Sequence, residues 1–238
     1  KSKLAALIAS ILWAFSPLSL FFDRMALVDS MLTCLGIWTL YLSLRLSESL
    51  RLDLAMIAGF VLGLAALTKS PALFFAALIP VAVILLKRPK DLFKYVGLLA
   101  VVYFIAFGMY NIQRLGPNFD LLTSRTNDYV FPLSRIFVYP TDPIRYNLPT
   151  TFSWLSAMGP LGLILLAATG IIINFKKYAK FILVLGIWFL APLLFEAEFT
   201  KSFTLRYILF LVPPLYVFAA GAFNVLAGKW KYITALAF

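Results

Sequence analysis

The chain has 238 residues, 63% of them hydrophobic and 13% charged, with a mean hydropathy of +0.94 and a formal net charge of +11. A soluble domain carries nearer half apolar and a quarter charged residues, so the composition excludes an ordinary soluble globule and specifies a polytopic membrane protein. A single cysteine, Cys34, excludes an intrachain disulfide, and with no histidine the chain lacks the usual zinc donors and the commonest general base. Oxygen ligands for a divalent metal such as Mg²⁺ or Mn²⁺ stay possible.

Apolar runs near the length that crosses a bilayer recur along the chain. They lie at Leu4–Phe22, Met25–Leu44, Leu54–Leu67, Pro71–Leu86, Leu92–Tyr110, Phe152–Ile173, Phe181–Phe195 and Leu205–Leu226, and a ninth starts near Tyr232. The predicted fold class is all-α. It is a polytopic transmembrane helical bundle of about eight spans plus a truncated ninth, with residues 1–238 as one transmembrane domain. The chain starts at Lys1 beside an apolar run and ends inside another, which reads as a fragment of a longer protein.

Alternate connections between these runs differ in charge. One set holds 13 of the 21 basic residues and 3 of the 10 acidic ones. Short lysine-rich connections mark the cytoplasmic side, so the net charge reports topology rather than nucleic-acid binding. The other set then faces outward. It contains Asp23, Arg24, Asp29, Lys69, Glu196, Glu198, Lys201 and Arg206, and a long connection over residues 111–151 that serves as an outer loop or lid.

The candidate site residues follow in chain order. Arg24, in FFDRMALVDS, stands at the expected start of the second span. A cation there opposes the helix dipole unless an anion joins it. It is either a local partner of a capping Asp23 or part of a phosphate site. Asp29 would lie about 9 Å deeper on a helix that starts near Asp23. Carboxylates inside membranes are rare and usually functional; the alternative is a helix that begins at Asp29-Ser30 with Asp29 as its cap. Lys69, in LTKSP, either ends a helix whose dipole favours it or adds a cation to the outer face. In the long connection, residues near Asp128–Val138 suit a surface amphipathic helix. The stretch FEAEFTKSFTLRYILFLVPPLY carries Glu196, Glu198, Lys201 and Arg206, and Pro213-Pro214 would bend its helix. It is either a solvated loop with a snorkelling Arg206 or an anion site with carboxylates beside it. No phosphate-binding glycine loop, HExxH or nucleophile elbow is present, so an ATP-driven pump has no support.

Three stretches carry a resemblance. FSPLSLFFDRMALVDSMLTCLGIWTLY, GLAALTKSPALFFAALIPVAVILL and FTLRYILFLVPPLYVFAAGAF resemble, in order, segments of the GT-C integral-membrane glycosyltransferases. The similarity is to the protein O-mannosyltransferase and aminoarabinose transferase group (glycosyltransferase family 39-like), with Ser70 where glycine is usual. The resemblance implies transfer of a sugar from a polyprenyl-phosphate donor to a protein, lipid or glycan acceptor, at the extracytoplasmic face of a multi-pass protein in the cell membrane. It implies that Arg24, Asp29, Lys69, Lys201 and Arg206 bind substrate. The main catalytic base is expected upstream of Lys1, with Asp29, Glu196 and Glu198 as candidates inside the chain. The lipid-linked sugar is expected as a substrate, membrane lipids as partners, and no nucleic acid. The alternative is a transporter or flippase for an anionic lipid or lipid-linked sugar.

Overall fold

The structure is a computed structural model that describes residues 3–119, 121, 128–159 and 162–223. Its α-helices are α1 (Lys3–Ala14), α2 (Pro17–Asp23), α3 (Asp29–Ser49), α4 (Leu52–Thr68), α5 (Ala72–Leu78), α6 (Asp91–Asn111), α7 (Ile144–Met158), α8 (Leu163–Phe199) and α9 (Pro213–Gly221). Short 3₁₀ turns occupy Ile79–Leu85, Ile112–Leu115, Leu133–Phe137 and Leu205–Ile208. Among the described residues there is no strand, and one isolated antiparallel bridge joins Val130 to Thr200. The all-α reading holds.

The number of membrane-length helices is lower than the eight expected. Two described helical stretches, Asp91–Leu115 and Leu163–Phe199, are long and apolar enough to cross a bilayer. α1 and α2 make a third if they count as one span bent by 56°. The apolar runs are present but interrupted. Ser16 ends the first run and caps α2, accepting from the Leu18 N–H at 3.2 Å, and Pro17 opens that helix. The second run begins late, at Asp29, and continues to Ser49, which brings Arg45 and Glu48 into α3. Pro80 turns the fourth run from α-helix to 3₁₀ geometry. The sixth run straddles Gly159, which follows α7, and Gly162, which precedes α8 with a φ of 74° that favours glycine. Pro213 and Pro214 were expected to bend a helix; they start α9 instead. The expected ninth span lies outside the described residues.

α8 is a 37-residue helical run whose backbone leaves helical geometry at Tyr178 (φ −127°, ψ 27°). This break falls in NFKKYAKF, the basic connection between two expected spans. In the long connection, the amphipathic helix expected at Asp128–Val138 is reduced to the 3₁₀ turn Leu133–Phe137. That turn is held by Arg135, which pairs with Asp142 at 3.2 Å and lies 3.9 Å from the Phe131 ring centroid.

Three contacts fix the bundle. α4 packs along α6 so closely that a Cβ at Gly59 would come 2.9 Å from the Val102 carbonyl oxygen. α8 packs on α9 at Gly170, where a Cβ would collide with the Phe218 carbonyl oxygen. α1 meets α9 through Ser16 and Tyr216, whose hydroxyls lie 2.6 Å apart, and through an edge-on contact of Trp13 with the Tyr216 ring. Between α5, α8 and the segment before α9 lies an aromatic cluster of Phe74, Phe75, Trp188, Phe195 and Phe210. It forms the floor beneath the charged residues described below.

Pro80 has no N–H to give to the Ala76 carbonyl, four residues back. The Tyr103 hydroxyl donates to that carbonyl at 2.7 Å, and the Tyr95 hydroxyl donates to the Ile79 carbonyl at 3.0 Å. Two tyrosines of α6 thus serve a helix that a proline breaks. Tyr103→Phe leaves the Ala76 carbonyl without its partner in an apolar setting. The expected loss is about 1–2 kcal/mol of stability, read as a lower melting temperature in detergent. An unchanged melt would show that water reaches that carbonyl.

Candidate functional site

The charges gather around the first turn of α3. Asp29 is 1% exposed although it carries a carboxylate. It does not cap α3: Val28 stands at the N-cap and no side chain caps the helix there. The Lys69 Nζ lies 2.5 Å from Asp29 Oδ1 and donates to it. Lys69 ends α4 in extended geometry (φ −164°, ψ 148°), its N–H bonding the Ala65 carbonyl at 3.1 Å. Pro71 follows at the N-cap of α5. The tight turn therefore aims a lysine at a carboxylate 40 positions away in sequence.

The C-terminal half brings more charge to the same place. The Lys69 ammonium lies 5.1 Å from the Tyr207 ring centroid, and the Arg206 guanidinium carbon lies 5.0 Å from the same ring. Arg206 Nη2 donates to the Tyr207 hydroxyl at 3.1 Å, and Arg206 stands close enough to Asp29 to act on it electrostatically. Lys69 acts on Glu196 in the same way. Two cations therefore flank one aromatic ring, with carboxylates on α3 and α8 beside them. Arg206 Nε is buried without a hydrogen-bond partner, so the guanidinium keeps donor capacity for an anion.

Glu196 and Glu198 depart from expectation. They are not in a solvated loop but in the last turn of α8, 7% and 4% exposed. The Thr200 hydroxyl donates to Glu196 Oε2. Both carboxylate oxygens of Glu198 are buried and unpartnered. Around this turn, Asn147 of α7 donates to the Ala197 carbonyl at 2.8 Å. The long connection before α7 lies against it: the Phe131 N–H bonds the Phe199 carbonyl at 2.7 Å and the Lys201 N–H bonds the Tyr129 carbonyl at 2.8 Å. Lys201 is exposed, with its ammonium 5.6 Å from the Phe131 ring centroid.

Arg24 and Asp23 also sit differently from the sequence reading. α2 ends at Asp23 and Arg24 is its C-cap, so this cation stands at a helix end that favours it rather than at a helix start. Both are exposed. Asp23 lines a cavity of about 310 Å³ with Trp13, Ser30, Thr33 and Trp38, and Lys69, Glu196 and Arg206 are not part of its wall. Arg206 is likewise in a 3₁₀ turn that precedes α9, not at the start of a long helix. Of the residues singled out in the sequence, the structure brings Lys69 onto Asp29 and both Lys69 and Arg206 onto Tyr207, and it leaves Arg24 outside that group. The sequence reading misses Tyr207, whose ring joins the two cations, and Thr200, which serves Glu196. Tyr207 stood beside Arg206 in the quoted stretch, but nothing in a linear reading aims its ring at Lys69. Among the described residues no three of His, Cys, Asp and Glu come together as a metal site.

Residues 2–110 match the family described as dolichyl-phosphate-mannose-protein mannosyltransferase. The match spans slightly under half of the chain; it contains Asp29 and Lys69 and stops before Glu196 and Arg206. It covers the first two of the three stretches that resemble the GT-C glycosyltransferases, and the third, residues 203–223, lies outside it. No curated protein and no solved structure matches the chain.

Removing one partner of a buried ion pair strands the other and costs about 3–5 kcal/mol. Asp29→Asn and Lys69→Met should each lower the melting temperature in detergent. The double variant should lose less than the two losses added, because neither charge is then stranded. Strict additivity would show that the pair does not hold α3 to the α4–α5 turn.

Proposed function

On the match over residues 2–110, which supports a membrane glycosyltransferase of the GT-C type, we propose that this chain transfers a sugar from a polyprenyl-phosphate donor to an acceptor at the outer face. The observation that carries the reading is the pair of cations around Tyr207, held beside the buried carboxylate Asp29.

When the sugar leaves its lipid, the bond between the anomeric carbon and the phosphate oxygen breaks. The electron pair stays on the phosphate, and cations stabilise that growing charge. Arg206 supplies planar donors suited to phosphate oxygens, including the unpartnered Nε. Lys69 adds a compact charge, and Asp29 fixes its position. The acceptor hydroxyl must lose a proton as the new bond forms. Glu196, which lies near Lys69, is a candidate to accept that proton, and Glu198, buried in the same turn, is a second. A lipid-linked donor needs no nucleotide-binding loop, which agrees with the motifs absent from the sequence. Lys201, exposed beside Phe131, contributes charge at the rim. Arg24 stands at the end of α2 and adds positive potential for an approaching anionic lipid. A divalent metal is not required by this scheme.

Two measurements test the reading. In sugar transfer by membranes with matched expression, Arg206→Ala should lower the rate roughly 10- to 150-fold, the worth of a charge-assisted bond of about 1.5–3 kcal/mol. Arg206→Lys should recover only part, since a point charge cannot reproduce the planar fork. Unchanged transfer in Arg206→Ala would sink the phosphate role. The outward orientation has its own test, made in a Cys34→Ala background because Cys34 is exposed. An impermeant thiol reagent should label Ser134→Cys in intact cells and spare Lys177→Cys. The reverse pattern would overturn the orientation.

A further inference from the structure

A second feature lies along α8, around its break at Tyr178. The arms of α8 on either side of the Tyr178 break, with α9 behind them, frame an apolar groove of about 740 Å³. Ile171 and Phe175 line it before the break, Leu183, Ile187 and Leu190 after it. α9 closes the back with Leu215 and Phe218. Asn174 fixes that closure, because its side-chain N–H₂ donates to the Gly170 and Gly221 carbonyls at 2.8 and 2.9 Å.

The groove is open at Gly186, where an added Cβ would meet no atom within 4 Å. On the arm of α8 after the break its wall runs from Lys180 to Leu194. Those fourteen steps span about 21 Å at 1.5 Å per residue, more than the roughly 15 Å of hydrocarbon in one leaflet. Lys180 is the one charged residue among the described residues of the wall. Lys176 and Lys177 stand exposed nearby on the same break, and no acidic residue occurs between residues 171 and 195. A long apolar slot with three lysines at one end matches an acyl chain joined to an anionic headgroup.

We propose that this groove binds an anionic phospholipid of the lysine-side leaflet, its acyl chain between the arms of α8 and its phosphate at Lys180, Lys176 and Lys177. The headgroup site differs from the sugar-donor site in place: its lysines lie at the Tyr178 break, eighteen residues along α8 from Glu196. Basic clusters at the membrane surface attract anionic lipid in this way. The bound chain covers apolar wall that the helices leave open, and the headgroup neutralises three crowded cations.

The test uses spin-labelled lipids and needs no sugar transfer, so it stands or falls apart from the reading above. The protein is placed in phosphatidylcholine nanodiscs that contain a trace of spin-labelled phosphatidylglycerol or, separately, spin-labelled phosphatidylcholine. The fraction of label immobilised on the protein is measured. The wild type should immobilise phosphatidylglycerol in preference to phosphatidylcholine, and salt should weaken the preference. Lys180→Gln should lower it about fivefold, and replacing all three lysines by glutamine should abolish it. Gly186→Leu should remove immobilised phosphatidylglycerol while the melting temperature is kept, because the new side chain enters open space. Equal immobilisation of the two lipids by the wild type would overturn the proposal, as it would if another segment of the protein filled the groove. So would a preference that survives both Gly186→Leu and the triple lysine variant.

Discussion

A carboxylate that is 1% exposed inside an apolar chain needs a counter-charge, and the ion pair of Asp29 with Lys69 supplies it. The cost of dehydrating both ions is several kcal/mol each, so the pair forms only where geometry is good. That requirement fixes the start of α3 against the turn between α4 and α5. It also fixes what is built on that turn: the Lys69 ammonium reaches the Tyr207 ring, and Arg206 is bonded to the same tyrosine. The halves of the chain therefore meet at one point of charge. Any process that separates Asp29 from Lys69 also displaces the cations around Tyr207.

The parts of this site that a linear reading could reach were those with a penalty attached. Asp29, Lys69, Glu196 and Arg206 stood out because each is a charge in apolar surroundings, where charge is expensive unless it is used. The family stretches added order to the same residues. What a linear reading could not reach was direction. Nothing in DRMALVDS says that α2 ends at Asp23 and that the next helix waits until Asp29, because both residues can begin a helix equally well. The same ambiguity put Glu196 and Glu198 in a loop, although the helix of their apolar neighbours continues to Phe199. Hydropathy measures how apolar a run is, and it is blind to how the run is broken.

The breaks explain why the helical class was right while the number of membrane-length helices was not. Pro17, Pro80 and Pro213 each sit inside a run that averages as a span. Each removes a backbone donor, and in lipid a missing bond must be replaced from elsewhere. At Pro80 the replacement is visible in Tyr103, and at Pro17 in the Ser19 hydroxyl, which donates to the Trp13 carbonyl. The remedy at Pro80 comes from a residue 23 positions away, so there the sequence shows the proline without showing its remedy. The break at Tyr178 is different in kind: no proline is present, and the basic residues around it mark where two apolar stretches meet.

The bridge between Val130 and Thr200 gives the outer connection a mechanical property. Two backbone bonds, Phe131 to Phe199 and Lys201 to Tyr129, clip the connection onto the last turn of α8. That turn holds Glu196 and Glu198, so the clip is a latch on the acidic edge of the site. Net backbone bonds of this kind are worth about 0.5–1.5 kcal/mol each. Releasing these two alone thus costs about 1–3 kcal/mol, which leaves an unlatched state populated at roughly one to fifteen per cent. The last turn of α8 and the connection can then part with no energy source beyond thermal motion.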